Sequence, residues 1–314
     1  MKTLLKHTPK KTTLPILKSI MVKDDRATIS DCNFWLSCPV IGKPDGLYNS
    51  VAFDAPLAKL LDTSITDFPI ISEMPEVTAT YKFDAANLLQ VLELAAQGMG
   101  KEASRYYLCG ILFNGVKMVA TNGHVLHELD APCEHNPCEG VIIPDYAIKI
   151  LVDLLKERKS ADNVVMGIHN REEYSPLLRF IIAGYTLTCR AIDGNYPDYK
   201  RIMPEPDKLT FAVQWNKAEF KTILPQLKLL SKQNSDNFRC VKLSESNVEY
   251  MGNKFPLSGI FFSKPIYFNY NYLAQLPDCD LYYNHDDVTM ATLVRHALGL
   301  SVVMPMRGNV AYKE

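Results

Sequence analysis

Short alternating strands and a few amphipathic helices account for most of the apolar pattern along the chain. Three segments share one order: an apolar strand, a tight turn, and a second strand that closes on a small residue followed by Asp or Asn. They run over 20–35, 111–126 and 240–257. Alternation with a period of two predicts half-buried strands. Because the same order occurs three times, the pattern favours repeated domains over a chance hairpin.

In the segments that precede the second and third repeats, apolar residues recur at intervals of three and four. This spacing predicts helices with one buried face. Asn216 and Glu219 stand in capping-box register at the start of one helix, and Pro225 predicts a kink within it. The predicted helices run over 86–99, 146–158 and 216–233, with a shorter one from about Asn271.

Antiparallel strands complete each predicted domain. A strand is predicted over 141–144, and a hairpin over 177–192 with its turn at Ala183 and Gly184. Two helices against antiparallel sheet in each domain predict an α+β fold. The predicted domains cover residues 1–77, 78–204 and 205–314, and the first is shorter than the others.

Composition restricts the class of protein. The 314 residues are 47% hydrophobic, which is enough for two or three domain cores. With 34 Lys and Arg against 35 Asp and Glu, the net charge of −1 excludes a globally basic nucleic-acid coat but allows a local basic face. The sequence has no apolar run of about 20 residues and its eight cysteines are scattered, so we expect a cytoplasmic protein without membrane contact.

The helix predicted over 216–233 carries a lysine stripe. At about 100° per residue, its four members fall within about 60° of the helix circumference. They are Lys217, Lys221, Lys228 and Lys232. The stripe is either a solvated helix face or a sequence-independent surface for DNA phosphates. Further candidate DNA contacts are Lys10, Lys11, Lys101, Arg105, Tyr106 and Tyr107.

Catalytic motifs do not emerge from the sequence: it has no P-loop, no Rossmann fingerprint, no nucleophile elbow and no two-metal carboxylate cluster. We therefore expect neither an enzyme nor a cofactor. The loop 133–138 holds two cysteines and a histidine but lacks a fourth ligand, which favours an ordinary surface loop over a metal site. His124 and His127 lie in a strand pattern rather than a zincin helix, so a structural histidine is favoured.

Five regions of the chain resemble, in order and spacing, the beta sliding clamp of bacterial DNA polymerase III. They are 13–17, 105–113 with 120–126, 193–204, 268–273 and 302–307. The resemblance implies a DNA clamp fold of three repeated domains, with helices lining a channel and sheets outside. It also implies a homodimeric ring around duplex DNA, with a DNA polymerase and a clamp loader ATPase as partners.

Clamps of this family bind short partner peptides in a groove between their second and third domains. The resemblance therefore implies that the Met-Pro-Met segment 304–306 lies beside the Thr-Asn-Gly-His turn 121–124. Methionines repack around different ligands, and Gly123 allows a side chain to approach the backbone. From the residues alone, a buried terminal strand is the simpler interpretation of 302–306. The implied groove residues are Leu108, Thr121, Gly123, His124, Leu126, Pro197, Arg201, Ile202, Tyr272, Val302, Met304, Pro305, Met306 and Arg307.

The first domain departs from the family pattern in two places. Only twelve residues precede Thr13, too few for the family's helix and loop, so no helix is expected there. The helix-like segment 56–61 runs almost directly into 66–69, where the family has a hairpin whose edge strand joins the subunits. This trimming suggests a shortened, phage-type version. The alternative function is a clamp-like peptide-binding module that does not encircle DNA.

Three smaller departures lie at the groove. Asn122 stands where the family has Asp, and Val125 where it has Arg, a loss that would alter groove specificity. Residues 308–314 extend beyond the family's usual end, beside the groove, and would partly occlude it.

Overall fold

The structure is a computed structural model that describes residues 1–54, 63–71, 73–134, 136–171, 173–244, 246–259, 262 and 264–308. The helix predicted over 56–61, His135 of the loop 133–138, and residues 309–314 of the tail lie outside the described residues. Among the helices of the described part, none has both the length and the apolar character needed to cross a bilayer.

Helices and antiparallel strands alternate as the sequence predicts, and the α+β class is confirmed. The described helices are α1 Lys2–His7, α2 Ala85–Gly98, α3 Asp145–Glu157, α4 Lys217–Gln233 and α5 Tyr270–Leu273. Short 3₁₀ helices cover Pro15–Lys18, Ser50–Ala52, Ile65–Asp67, Ala103–Leu108, Tyr199–Ile202 and Pro206–Lys208.

The described strands include all three predicted repeats. The first ten are β1 Ser19–Lys23, β2 Arg26–Ser30, β3 Phe34–Pro39, β4 Gly46–Asn49, β5 Ala79–Asp84, β6 Gly110–Phe113, β7 Lys117–Thr121, β8 Val125–Asp130, β9 Val141–Pro144 and β10 Asn163–His169. The others are β11 Leu177–Ile182, β12 Tyr185–Arg190, β13 Leu209–Trp215, β14 Cys240–Ser244, β15 Asn247–Tyr250, β16 Asn253–Pro256, β17 Ile266–Asn269, β18 Cys279–Asn284, β19 Thr292–His296 and β20 Gly299–Val303.

Residue contacts divide the chain into two compact units. The first unit comprises Met1–Ala96, Glu102–Lys117 and Ala131–Asn195, and the second comprises Gln97–Lys101, Met118–Asp130 and Tyr196–Glu314. The division of the chain into domains 1–77, 78–204 and 205–314 stays a prediction.

In the first unit, eight strands form one antiparallel sheet in the order β4-β1-β2-β3-β12-β11-β10-β5, and β6 pairs with β9. Two tight turns follow from local chemistry. Asp24 and Asp25 adopt φ angles of 51° and 56° between β1 and β2, a conformation that short polar side chains tolerate. Ala183 and Gly184 turn the predicted hairpin at φ angles of 43° and 88°.

The expectation that no helix precedes residue 13 is wrong, because α1 is a helix that packs against α3. Six residues rarely hold a helix alone, so tertiary contacts must stabilise it. Leu4 is fully buried, and Glu157 of α3 accepts hydrogen bonds from the backbone N–H and the hydroxyl of Thr3. Asp153 pairs with both Lys6 and His7 at 2.7 Å.

In the second unit, six strands follow one another in a sheet in the order β13-β18-β19-β20-β8-β7, and a separate four-stranded sheet has the order β16-β15-β14-β17. Helix α4 is capped as predicted, since the Asn216 side chain accepts from the Glu219 N–H at 3.0 Å. Its apolar face buries Phe220 and Leu227 in a core with Trp215, and the ring centroids of Trp215 and Phe220 are 4.7 Å apart. This core fixes which side of α4 is exposed.

Candidate functional site

The turn that joins β7 to β8 is held by its own side chains. Thr121 Oγ1 donates to the Val125 carbonyl at 2.7 Å and accepts from the Gly123 N–H at 3.1 Å. The Asn122 side chain accepts from the N–H groups of His124 and Val125 at 2.9 and 3.0 Å. Asn and Asp both form such turns through a side-chain oxygen, so Asn122 can replace an Asp here without loss of the turn.

The same turn presents two residues to solvent. Gly123 adopts a φ of 89°, which an L side chain rarely takes, and both Gly123 and His124 are exposed. Val125, in contrast, is 1% exposed and belongs to the core of the second unit. The side chain at position 125 therefore packs inward and is not part of the exposed surface of the turn.

The C-terminal segment lies directly beside this turn. Strand β20 ends at Val303, so the predicted strand through Met306 is shorter than expected. Beyond it, the Met304 N–H donates to the His124 carbonyl at 2.9 Å, and the Met306 N–H donates to the Tyr267 carbonyl at 2.7 Å. The predicted proximity of the Thr-Asn-Gly-His turn and the Met-Pro-Met segment is confirmed.

Aromatic stacking adds a third segment to the site. The His124 ring stacks on Tyr272 with a centroid distance of 5.9 Å and an interplanar angle of 20°. Tyr272 lies in the short helix α5, whose first turn is capped by the Asn269 side chain. A tyrosine hydroxyl is protonated at neutral pH and able to donate a hydrogen bond, and burial moves the pKa of Tyr272 further in that direction.

A cleft of about 310 Å³ opens in the second unit between the residues that follow Asp198 and those that follow β18 and β20. Three predicted groove residues line it: Arg201, Ile202 and Met304. Because methionine side chains are flexible and polarizable, the walls can adapt to different apolar ligands. The sequence did not indicate the other lining residues, which are Met203, Pro204, Glu205, Lys208, Leu209, Asn284, Thr289, Met290 and Ala291.

The other groove residues differ in exposure. Leu126 and Val302 are cross-strand partners, each 1% exposed, so they support the site from inside the sheet. Leu108 is buried at the end of a 3₁₀ helix in the first unit, and its part in the groove stays a prediction. Of the rest, Thr121 is buried, Pro305 and Met306 are half-buried, and Pro197 and Arg307 are exposed.

Two tyrosines that the sequence analysis did not assign anchor the residues around Pro197. The Tyr196 hydroxyl accepts from the Thr121 N–H at 3.0 Å, and the Tyr199 hydroxyl donates to Glu128 at 3.2 Å. Burial raises the pKa of both tyrosines, and for Tyr199 the nearby Glu128 carboxylate adds to the shift. The two bonds hold the chain segment just before Arg201 against β7 and β8.

The lysine stripe lies on the exposed side of α4. Lys221, Lys228 and Lys232 are exposed, and Lys217 is half-buried. The remaining candidate DNA contacts differ in their location and in their contacts. Lys10, Lys11 and Lys101 are exposed outside helices and strands.

Arg105 and the two tyrosines after it contact other residues of the first unit. The Arg105 guanidinium pairs with Glu102 at 2.7 Å. The rings of Tyr106 and Tyr107 meet edge to face, with centroids 5.7 Å apart, and both lie close to Gly194. Tyr106 is nevertheless 52% exposed, which leaves ring surface accessible to a ligand. A DNA-binding role stays a prediction for all ten candidates.

His127 has the surroundings expected of a structural histidine. It is fully buried, and its Nδ1 lies 2.7 Å from the Ser301 hydroxyl. The same hydroxyl lies 2.9 Å from His296 Nε2. In the part of the chain that the structure describes, no three His, Cys, Asp or Glu side chains are grouped to hold a metal ion. The metal hypothesis for 133–138 involves His135, which lies outside that part.

The central part of the chain matches a known family. Residues 82–198 match the family described as DNA polymerase III beta subunit, central domain. The chain is similar to the beta sliding clamps. The beta sliding clamp of Pseudomonas putida is 31% identical over 150 residues, which cover 46% of this chain and 39% of that protein. The clamp of Haemophilus influenzae is 23% identical over 286 residues, which cover 76% of this chain and 75% of that protein. The chain thus spans less than half the length of the Pseudomonas putida clamp in that match.

Solved sliding clamps share the fold over nearly the whole chain. A clamp from Bartonella birtlesii, solved with griselimycin bound, gives a TM-score of 0.78 at 22% identity, covering 98% of this chain and 96% of that one. The beta subunit of DNA polymerase III from Thermotoga maritima gives a TM-score of 0.76 at 17% identity, and the match covers 97% of this chain and 95% of that one. At such identities the likeness concerns the fold, and it confirms the predicted DNA clamp fold.

Proposed function

We propose that this chain is a DNA sliding clamp, a processivity factor that encircles duplex DNA and tethers the replicative DNA polymerase. The observation that carries the proposal is the contact between the Met-Pro-Met segment and the turn at His124, with an adaptable apolar cleft beside Met304. The clamp fold over 98% of the chain supports it. A homodimeric assembly, a clamp loader ATPase as partner and a cytoplasmic location belong to the same proposal.

A clamp of this kind needs no chemistry of its own. Encirclement would retain the protein on DNA, so direct affinity for the duplex can be weak and salt-sensitive. Lysines suit such a surface, because a compact charge on a flexible stem contacts phosphates without fixing a register. Partner peptides would bind at the apolar cleft, where flexible methionines accommodate more than one sequence.

Topological retention provides the test. The chain, assembled on nicked circular DNA with a bacterial clamp loader, should remain bound through gel filtration. Cutting the circle once should release it, because a ring slides off an open end. Native mass spectrometry should give twice the mass of one chain. Equal retention on circular and linear DNA, from a protein with the mass of one chain, would contradict encirclement.

One observation favours the alternative, a clamp-like peptide-binding module that does not encircle DNA. The described residues between β4 and β5, which are 50–54, 63–71 and 73–78, form no strand. The family resemblance implies an edge strand in this region to join the subunits. A module without it would bind partner peptides with the same affinity as a clamp and would remain a monomer. The mass measurement therefore separates the two functions.

The lysine stripe gives a further prediction. Replacing all four lysines by Glu should lower loading on nicked circular DNA at least about tenfold, since each lost phosphate contact lowers affinity and its salt dependence. Binding of a fluorescent polymerase peptide should be unchanged, which also shows that the second unit is folded. Normal loading of the variant would leave the stripe as a solvated helix face.

A further inference from the structure

A basic cleft of about 390 Å³ lies at the C-terminal end of α4, outside the residues assigned to the partner groove. Lys228 and Lys232 line it from one side of the helix. Arg239 lines it from the loop that follows the helix, where no sequence pattern indicates a site. Asp236 is the one acid among the described lining residues, so three cations face one carboxylate.

Internal bonds already occupy that carboxylate. Asp236 is 5% exposed, and its oxygens accept from the N–H groups of Phe238 and Arg239 at 3.0 Å each and from the Tyr250 hydroxyl at 2.7 Å. Its backbone is tied to Ser231 of α4 by two further bonds of 3.0 Å. Asp236 therefore shapes the loop from inside and does not neutralise the basic side chains by direct pairing.

The loop holds Arg239 in a fixed position. Besides the bond from its N–H to Asp236, its carbonyl accepts from the Tyr270 N–H at 3.0 Å. Its φ of 56° lies in the left-handed region, which is uncommon for a residue with a side chain. An unfavourable backbone conformation that the surroundings impose is a feature of ligand sites. Arg239 itself is exposed.

The charges of the cleft have no internal partner in the described part of the chain. No carboxylate oxygen of the described residues lies within 4.0 Å of the charged nitrogens of Lys228, Lys232 or Arg239. Exposed Ser235 and Asn237 add neutral donors at the rim. A cleft with an excess of positive charge and several N–H and O–H donors matches an oxyanion, and the planar guanidinium fork matches a phosphate.

We infer that Lys228, Lys232 and Arg239 form a phosphate-binding site that takes a backbone phosphate of duplex DNA. The inference rests on the proposed function, and it divides the lysine stripe into two parts. The C-terminal lysines share a defined site with Arg239, whereas Lys217 and Lys221 belong to an open helix surface. Because no base is contacted, the site would act at any sequence.

Two ligands test the site, and each identifies one source of phosphate. Inorganic phosphate, titrated by ¹H–¹⁵N NMR, should give saturable shifts at the backbone amides of 228–239 and at the Arg239 side chain. For a short duplex, fluorescence anisotropy at several salt concentrations gives the slope of log affinity against log salt. Arg239→Gln should abolish the phosphate shifts and reduce the slope by about 0.9, the value for one phosphate contact.

Matched variants on the same helix provide the control. Lys228→Gln with Lys232→Gln should abolish the phosphate shifts, whereas Lys217→Gln with Lys221→Gln removes the same charge and should leave them intact. Phosphate shifts that persist in Arg239→Gln would overturn the site. If Arg239→Gln loses the phosphate shifts but keeps the slope of log duplex affinity against log salt, the assignment of the site to DNA is overturned.

The outcome is separable from that of the proposed function. One outcome is a protein that dissociates from circular and linear DNA to the same extent and still shows phosphate shifts and a salt slope that depend on Arg239. In that case it has the phosphate site but does not encircle DNA. A protein that is retained only on circles, with a normal slope in Arg239→Gln, encircles DNA without this site.

Discussion

Replacing Met304 and Met306 by Ala should weaken binding of a polymerase peptide between about 100-fold and 1000-fold. Both backbone bonds, to His124 and Tyr267, survive in the variant, so the segment should keep its position. Only the thioether side chains are lost. Truncating a well-packed residue at an interface costs about 2 kcal/mol. Two such losses give up to about 4 kcal/mol, and every 1.4 kcal/mol is about tenfold in affinity.

Isothermal titration or anisotropy with a fluorescent peptide from a bacterial replicative polymerase measures this effect. Leu229→Ala is the control, because Leu229 is 56% exposed on α4 and is not among the described residues that line the two clefts. Met290→Ala tests the part of the cleft that the sequence did not indicate, and should weaken binding about tenfold. If the double variant binds within about threefold of the unmodified protein, the peptide site lies elsewhere.

Local signals predicted the elements that depend on neighbouring residues. Helix α4 spans Lys217–Gln233 against a predicted 216–233, because its capping residue and its apolar spacing are both encoded within the helix. The hairpin of β11 and β12 turns at Ala183 and Gly184 for the same reason. Proximity of the His124 turn and Met304 was also predicted, but through the family resemblance.

Elements that depend on distant residues were missed. Helix α1 is too short to be stable alone, and its partners Asp153 and Glu157 lie about 150 positions along the chain. The cleft beside Met304 likewise combines residues near 203, 284 and 290 with the C-terminal segment. Its composition depends on strand order in the sheet, which no local pattern records. Arg239 was missed because a single exposed arginine in a loop carries no periodic signal.

A chain of hydrogen bonds through two histidines makes the second unit sensitive to acid. The Leu298 N–H donates to His296 Nδ1 at 3.3 Å, so the neutral ring carries its proton on Nε2 and donates to Ser301 Oγ at 2.9 Å. The Ser301 hydroxyl then donates to His127 Nδ1 at 2.7 Å. Both rings must stay neutral to keep this arrangement, because a proton on His127 Nδ1 would oppose the hydroxyl proton.

Burial opposes protonation of both rings. It lowers the pKa of His127 to about 3, with the neighbouring His296 adding to the shift and the Gln275 side chain opposing it. Burial also lowers the pKa of His296 to about 4, and Asp130 opposes that shift in part. In the unfolded chain a histidine titrates near 6.5. Below that pH the unfolded state binds protons that the folded state does not.

The contribution of the two rings to the free energy of unfolding should therefore be fully present above about pH 6.5 and fall as the pH approaches 4. Fully buried His127 contributes a slope of up to about 1.4 kcal/mol per pH unit. Half-buried His296 contributes less, because water partly solvates its charged form. Denaturant unfolding at intervals between pH 7.5 and pH 4 measures the slope. His127→Asn keeps an acceptor for Ser301 without a titrating group, and should remove at least half of the slope.

His285→Asn is the matched control for this titration. The His285 side chain is 53% exposed, so its replacement removes one histidine and leaves the buried pair intact. A free energy of unfolding that is equal at pH 7 and pH 4.5 would show that the folded protein accepts protons on the buried rings, and that the hydrogen-bond chain through Ser301 rearranges at little cost. A slope that falls in His127→Asn and persists in His285→Asn would instead locate the acid sensitivity in the buried pair, because only there does folding exclude the charged form.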